Sequence, residues 1–333
     1  MAELNATLAN STALLNIAPE YKYYLWIMNA IIFLCAVVGV TLNTLALAVF
    51  YKSIEYNKTS YLLFCLAIND NIFLVLRTVQ LIIISVYLYY AEVRSTTLLT
   101  SISGLQVTLY FLMTLQTYIA ALVSQERYCS VKKLYNVQSK VPLTRREKLF
   151  PLSVVIAGLL LFNVLKALDV DHLKIDKCTD AAFCPTLFLK QGPNWKIYSI
   201  VFRIVSEILL SVLLPVGMFM YYTVKTFKKL FFQYPMLPTN MYNAAKIAQR
   251  KKLHREMMKI VIVIAAFMMI NTLLNFSMQI KFVFPTVGPS VSPIAILLVA
   301  VFTAVNSSLN FFVYGMFGSL FRKEIKSICC CKT

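Results

Sequence analysis

Two charged side chains stand inside an otherwise apolar stretch of the chain, at a spacing that would let them act together. Residues 59–90 contain no charged residue except Asp70 and Arg77, which lie seven positions apart. On an α-helix this spacing places the two side chains on one face, about 20° apart. Asp70 could serve as a proton relay, an ion ligand or a buried hydrogen-bonding residue. Arg77 could bind an anionic ligand group or pair with an acid such as Glu207.

Other apolar stretches also contain polar side chains that could meet Asp70. Gln116 stands eleven residues before Arg127, so the two side chains share nearly one helical face. Polar groups are expensive inside a bilayer, so we expect them to face the protein interior and to form a buried polar network around Asp70. Three more such residues fall within about 6 Å of helical rise near the end of the chain: Asn306, Ser307 and Asn310.

The apolar stretches that position these residues are long enough to cross a membrane as helices. The chain is 59% hydrophobic, more than soluble domains usually are. A spanning helix needs about 20 mostly apolar residues, and the runs here are continuous rather than alternating, which favours helices over barrel strands. The sequence therefore predicts an all-α fold, a seven-transmembrane helix bundle. Its spans are expected near residues 23–51, 60–90, 97–128, 149–168, 196–227, 250–282 and 291–315.

The net charge of +18 is concentrated in particular segments. Lys and Arg cluster in residues 129–148, 228–259 and 316–333, whereas the other ends of the spans carry bases and acids in similar numbers. Because Lys and Arg mark cytoplasmic loops, we expect an extracellular N-terminus and a cytoplasmic C-terminus in the plasma membrane. The basic loops would attract membrane lipids or dock a partner with acidic patches, and no nucleic acid is expected. Two glycosylation acceptors, Asn5 and Asn10, lie in the N-terminal tail.

Three short motifs occur in an order and at a spacing typical of one receptor family. Residues 66–70 (LAIND) lie in the second span, residues 126–128 (ERY) close the third, and residues 310–314 (NFFVY) lie in the seventh. Asn43, which stands 27 residues before Asp70, has the spacing of that family's first-helix asparagine. Along nearly its whole length the chain resembles the rhodopsin-like (class A) G-protein-coupled receptors.

The resemblance implies a receptor rather than an enzyme, with no cofactor and no metal. It would bind an extracellular ligand and activate a heterotrimeric G protein on the cytoplasmic face. At rest Arg127 would pair with Glu126, and after helices separate it would turn toward backbone carbonyls of the partner. The G-protein switch would comprise Glu126, Arg127, Tyr128, Asn310 and Tyr314. The buried polar network would comprise Asn43, Asp70, Gln116, Asn306, Ser307 and Asn310.

The resemblance also divides the chain into three parts: an extracellular tail (1–22), a seven-transmembrane domain (23–315) and a cytoplasmic tail (316–333). The tail begins with the pattern of a short amphipathic eighth helix, because apolar residues recur there at helical spacing beside basic ones. Juxtamembrane cysteines are candidates for reversible palmitoylation. Three of them end the chain: Cys329, Cys330 and Cys331.

Four features of the sequence depart from the family's pattern. Phe311 replaces the usual seventh-helix proline, so that helix should lack its kink. Residues 271–273 (NTL) replace the aromatic-x-Pro element of the sixth helix. Gln116 replaces a small hydroxyl residue, and its longer amide is expected to hydrogen-bond Asp70. Residues 100–103 contain no cysteine, so the family's usual outer bridge cannot form.

The nature of the ligand stays open at this level. Leu109 stands where amine receptors carry an aspartate, which argues against a biogenic amine. The charged outer loop 169–196 favours a peptide, whereas the divergent motifs favour a chemosensory, odorant-type receptor for small molecules. A seven-helix transporter is a further alternative, although neither inverted repeats nor Gly- or Pro-broken helices occur in matching halves. The candidate pocket residues are Arg77, Gln106, Tyr110, Met113, Arg203, Glu207 and Asn275.

The outer loop provides a first prediction. Cys178 and Cys184 are six residues apart and are the only cysteines expected to face the oxidising exterior, so we expect them to form one disulfide. Closing so short a loop should stabilise the fold by about 2 kcal/mol. Mass spectrometry of unreduced protein should find a peptide linked through Cys178 and Cys184. Alkylation of both thiols without prior reduction would reject the bridge.

Overall fold

Helices dominate the part of the chain that the structure describes. The computed structural model describes residues 19–51, 58–89, 96–135, 145–175, 185–189, 208–232 and 293–317, selected positions between 256 and 274, and Phe321 and Ile325. Helices α1 to α4 span Pro19–Tyr51, Lys58–Tyr89, Thr96–Tyr135 and Arg145–Asp169. A π-helical turn, Ile208–Leu213, continues into α5, Leu214–Phe232, and α6 spans Pro293–Phe317. The described positions between 256 and 274 are also helical.

Four of these helices are long and apolar enough to cross a membrane. Their qualifying segments are Trp26–Tyr51, Lys58–Val86, Gly104–Lys132 and Ile208–Lys229. Each exceeds the roughly 20 residues that a bilayer core requires. Helices α4 and α6 contribute shorter apolar stretches, Phe150–Val164 and Leu298–Phe312. The expectation of apolar membrane helices is thus confirmed for four spans, while the complete seven-helix bundle and the eighth helix stay predictions.

The outer surface of these helices is strongly apolar. On α1, Trp26, Phe33 and Leu34 are more than half exposed, and on α4 Phe150 and Leu161 are 69% and 66% exposed. Soluble monomers rarely expose such contiguous apolar surface. In a membrane, lipid tails would cover this apolar surface and keep it away from water. The exposed apolar side chains therefore fit a bundle immersed in a membrane.

Two apolar clusters fill the interior on either side of a polar layer. Asp70 marks this layer on α2, where it falls between Leu66 of one cluster and Phe73 of the other. Helix α1 packs against α2 and α6, and α3 packs against α2, α4 and α5. The first cluster includes Ile32, Ala36, Phe73, Leu74, Leu109, Leu112, Ala300 and Ala304. The second includes Ala46, Leu62, Leu66, Ile119, Ala121, Leu152, Phe219 and Phe321.

A glycine allows α1, α2 and α6 to meet closely beside the polar layer. A Cβ atom on Gly39 would lie 2.6 Å from Leu74 Cδ1 and 2.9 Å from Ser308 Cβ. Both distances are shorter than the roughly 3.5 Å at which carbon atoms pack. The Ser308 hydroxyl donates to the backbone carbonyl of Cys35 on α1 (2.9 Å) or to that of Ala304 (2.8 Å). Small residues of this kind are typical of tight helix contacts in membranes.

The segment after α4 contains a β-hairpin that the sequence did not reveal. Strands β1 (Val170–Ile175) and β2 (Pro185–Leu189) pair antiparallel, with Ile175 opposite Pro185 and an irregularity between Val170 and His172. The segment expected as an outer loop at 169–196 thus contains two strands, which are too short and too weakly alternating to stand out in the sequence. Cys178 and Cys184, the residues of the expected disulfide, lie outside the described residues.

The π-helical turn before α5 has a local cause. In a π-helix the carbonyl of residue i bonds to the N–H of residue i+5. For Leu210 that position is Pro215, which has no N–H. The hydroxyl of Tyr118 on α3 takes its place and donates to the Leu210 carbonyl at 2.7 Å. The Tyr118 side chain thereby supplies a donor for the Leu210 carbonyl. It also ties α3 to the π-helical turn that continues as α5.

The bond between Tyr118 and the Leu210 carbonyl predicts that substitutions at Tyr118 and Pro215 have coupled effects on stability. Tyr118→Phe should lower the free energy of unfolding by about 1–3 kcal/mol, because it leaves the Leu210 carbonyl without a donor. In a Pro215→Ala background the new N–H can supply that donor, so Tyr118→Phe should cost markedly less. Unfolding of the purified protein in mixed detergent micelles would measure both costs. Equal costs in the two backgrounds would contradict the assignment.

Candidate functional site

The centre of the polar layer is the fully buried carboxylate of Asp70. Gln116 Nε2 on α3 donates to Asp70 Oδ1 at 2.8 Å, and Asn310 Nδ2 on α6 donates to Oδ2 at 2.5 Å. Within the described part of the chain no basic side chain pairs with this carboxylate. Two amides therefore satisfy the two oxygens, and one side chain joins α2, α3 and α6.

Neighbouring amides extend the layer to helix backbones. Asn43 Nδ2 on α1 donates to the carbonyl of Ser307 at 3.0 Å, and Asn69 Nδ2 donates to the carbonyl of Leu112 at 3.1 Å. The side chains of Asn306 and Ser307 are buried, but Asn306 Nδ2 and Ser307 Oγ have no hydrogen-bond partner among the described residues. Of the six residues expected in the network, the structure thus brings Asp70, Gln116 and Asn310 into direct contact. Asn43 joins through the backbone of Ser307.

A second polar chain lies further along α2, on the side away from Arg127. Arg77 Nη1 donates to Gln80 Oε1, and Gln80 Nε2 donates to Gln106 Oε1 on α3 at 2.6 Å. Tyr110 lies near Arg77, and Met113 lies on the same face of α3, partly buried. The other candidate pocket residues, Arg203, Glu207 and Asn275, lie outside the described residues.

At the opposite end of α3, the acid and the arginine of the 126–128 motif do not form an ion pair with each other. Glu126 Oε2 lies 3.5 Å from Lys58 Nζ on α2, and Ser130 Oγ donates to Glu126 Oε1 at 3.3 Å. The expected Glu126–Arg127 ion pair is absent. Adjacent helical residues point about 100° apart, so Glu126 turns toward α2 while Arg127 turns into the bundle.

Arg127 is buried without full hydrogen bonding. Its side chain is 6% exposed, and its Nε and Nη2 atoms have no acceptor among the described residues. A guanidinium in such surroundings is costly, although the nearby charge of Glu126 reduces the cost. The end of α3 that carries residues 126–128 therefore holds a cation with donors that have no acceptor among the described residues.

The surroundings of Arg127 connect α3 to α5. Ser124 Oγ lies 2.9 Å from Thr223 Oγ1, and the Tyr128 ring packs against Tyr222 with centroids 5.9 Å apart. Ser124 Oγ also lies 3.4 Å from the Phe219 carbonyl, and Phe219 belongs to the buried apolar cluster that includes Ile119 of α3. Hydroxyl contacts and one tilted ring pair thus accompany apolar packing between these two helices.

The 310–314 motif runs through an unbroken helix. Helix α6 continues to Phe317, because Phe311 supplies the backbone N–H that a proline would lack. The Phe311 ring packs on Phe321 at 5.5 Å, and Phe321 packs on Phe50 of α1 at the same distance. Tyr314 belongs to α6, but its side chain lies outside the described residues. The predicted loss of the kink agrees with this continuous helix.

Two site residues escaped sequence reasoning. Gln80 stands three residues after Arg77, a helical i, i+3 spacing that could have revealed their contact. Lys58 is the first residue of α2 and pairs with Glu126 on α3. No spacing in the sequence points to this partner.

The Asp70 contacts predict energetic coupling across helices. Asp70→Leu and Gln116→Met should each destabilise the protein, because each leaves a buried polar group without its partner. The double variant should cost less than the sum of the two by about 0.6–1.7 kcal/mol, the range typical of hydrogen bonds in membranes. Unfolding in detergent would measure this cycle. Asn69→Leu is the matched control, since Asn69 bonds to Leu112 and should add to Asp70→Leu without coupling. Strict additivity for Gln116 would refute the contact.

No family profile matches this chain, and no curated protein matches it.

Proposed function

We propose that this protein is a rhodopsin-like G-protein-coupled receptor that binds an extracellular ligand and activates a heterotrimeric G protein. The observation that carries the proposal is Arg127, a buried cation at the end of α3 with unused hydrogen-bond donors. The Arg127 guanidinium presents a rigid set of donors suited to oxygen acceptors. A partner that offered backbone carbonyls at this end of the bundle would supply acceptors for the donors that the described residues leave unsatisfied.

The resting state, on this proposal, is held by contacts around the arginine. The Lys58–Glu126 ion pair ties α2 to α3, and the Tyr128–Tyr222 contact ties α3 to α5. Separation of the inner helix ends would expose Arg127 to the partner. A ligand that favours the separated state shifts the population toward it by its difference in affinity for the two states. The Ser124–Thr223 hydroxyl pair between α3 and α5 would also give way, while the Asp70 junction can stay closed.

The proposed membrane topology has seven spans, with the N-terminus outside and the C-terminus in the cytoplasm. Four spanning helices, the shorter apolar helices α4 and α6, and the helical positions between 256 and 274 support the count. The basic segments support the orientation, because the Arg127 end of α3 leads directly into residues 129–148. We place the receptor in the plasma membrane.

Three modifications belong to the same proposal, each following from the topology. The outer tail would be glycosylated, the outer hairpin would be closed by a disulfide, and the inner tail would be palmitoylated beside a short eighth helix. The register of the hairpin, which sets Ile175 opposite Pro185, supports the disulfide because it brings together the two ends of the segment that contains both cysteines. The residues concerned are Asn5, Asn10, Cys178, Cys184, Cys329, Cys330 and Cys331.

Signalling variants test the proposal without a known ligand. Glu126→Gln and Lys58→Met each remove the α2–α3 ion pair, so both should raise ligand-independent activation of a G protein in a panel of reporters covering the main G-protein classes. Adding Arg127→Ala to either variant should return the signal to background, because the contact with the partner is lost. All variants are compared at equal surface expression.

The matched control is Lys132→Ala. Lys132 is an exposed base on α3, five residues beyond Arg127, and its loss should leave the raised signal in place. A signal that survives Arg127→Ala, or the absence of any reporter response from the two activating variants, would contradict the proposed function.

A further inference from the structure

Arg77 lies deep within a membrane-spanning segment. It is part of the apolar stretch Lys58–Val86, seven residues from Asp70, which is about 10 Å along the helix. From that depth the side chain cannot reach water along its own helix. An arginine in such a place needs either an internal counterion or a ligand that supplies one.

The described neighbours of Arg77 offer only neutral oxygen. Nη1 donates to the amide oxygen of Gln80, and the buried Nε has no acceptor in the described part of the chain. The one ion pair found there joins Lys58 and Glu126, far from Arg77 at the other end of α2. The positive charge therefore has hydrogen-bond contact but no neutralising carboxylate among these residues.

The amide chain holds the guanidinium in a defined position. Gln80 is 1% exposed, and its own NH₂ group is bonded to Gln106 on α3, which fixes its oxygen toward Arg77. Gln80, anchored in this way, orients the guanidinium through Nη1. It does not bond to the edge of the guanidinium that contains Nε. The Nε atom is thus held in a defined position, buried and without an acceptor among the described residues.

The face of α3 beside this group is partly exposed and carries one polar and two largely apolar side chains. Arg77, Gln106, Tyr110 and Met113 are all partly exposed, whereas Leu109 is buried. Gln106, Tyr110 and Met113 follow one another at helical spacing, so they form a single stripe on α3. A charged head beside aromatic and thioether side chains is the chemistry that fits an amphipathic anion.

We propose that Arg77 binds the carboxylate of the receptor's ligand, with Gln80 and Gln106 positioning the guanidinium and with Tyr110 and Met113 contacting the apolar body of the ligand. This inference rests on the proposed receptor function and narrows its ligand to carboxylates that carry an apolar group. A carboxylate matches the guanidinium in geometry as well as in charge, and an isosteric amide matches it in neither.

The competing explanation is that an acid within the protein pairs with Arg77. Measurements on ligand-free protein distinguish this ion pair from ligand binding. Glu207 is the acid that could serve. If Arg77 has no internal partner, Arg77→Gln should leave the melting temperature of the purified, ligand-free protein unchanged or raise it, because a charge without a counterion is removed from the membrane-spanning segment. The effects of Arg77→Gln and Glu207→Gln should then add. A fall in melting temperature with Arg77→Gln that Glu207→Gln relieves would assign Arg77 to an internal ion pair and overturn the proposal.

Binding is tested with acetate, hexanoate and benzoate as probes against acetamide, hexanamide and benzamide. The carboxylates should raise the melting temperature of purified wild-type protein, hexanoate and benzoate more than acetate, while the amides should not. Arg77→Gln should weaken carboxylate binding by about tenfold or more, and Arg77→Lys, which keeps the charge but loses the paired donors, should lie between. Lys132→Gln, which removes a base at the other end of α3, should bind like wild type.

Any of three results would overturn the proposal: no carboxylate shift in wild type, equal shifts from carboxylates and amides, or equal binding by Arg77→Gln. The measurement uses no G protein, so its failure would leave the signalling test of the proposed function untouched. Conversely, if carboxylates bind through Arg77 but no signalling response is found, the proposed receptor function is rejected and the carboxylate site is kept.

Discussion

A carboxylate buried in a membrane-embedded bundle must receive hydrogen bonds from its neighbours, and Asp70 meets this requirement through one amide on each side. Gln116 and Asn310 bring α3 and α6 to the same point on α2. Neither helix can slide along α2 without leaving a buried oxygen unpaired, which costs about 1–3 kcal/mol. The two apolar clusters pack above and below this fixed point, and Gly39 lets α1 close against it.

An arginine lies on either side of the Asp70 junction, Arg77 on α2 and Arg127 on α3, and each guanidinium has donors without an acceptor among the described residues. The Asp70 carboxylate, by contrast, receives a hydrogen bond at each oxygen. On the proposed function, the two cations would respond to partners on opposite sides of this junction. An anion bound near Arg77 and carbonyls bound near Arg127 would act on the same helix pair, whose relative position the Asp70 junction defines. Coupling between the ends would then pass through rigid helices pivoting about that junction.

Much of this arrangement could be predicted from residue type and periodicity. Long apolar runs locate membrane helices because the bilayer thickness sets their length, and the polar residues inside those runs must meet one another. This is why the approach of Gln116 to Asp70 could be anticipated. The replacement of proline by Phe311 likewise predicts a continuous helix, because the missing N–H is restored.

The remaining features depend on packing geometry that one sequence does not encode locally. The motif suggested that Glu126 would pair with Arg127, yet the rotation between adjacent helical residues sends Glu126 to Lys58. The hairpin after α4 is too short to produce a clear alternating pattern. The contact of Tyr118 with Leu210 depends on a π-helical turn, and only the proline five residues after Leu210 hints at it.

Everything proposed about function depends on which side of the membrane the Arg127 end of the bundle faces. The most direct measurement is the accessibility of epitope tags at the N-terminus, within residues 136–144 and at the C-terminus, labelled on intact and on permeabilised cells. We expect the N-terminal tag to be labelled on intact cells and the other two tags to be labelled only after permeabilisation. Labelling of the 136–144 tag or the C-terminal tag on intact cells would place Arg127 or the tail outside and would contradict the proposed orientation.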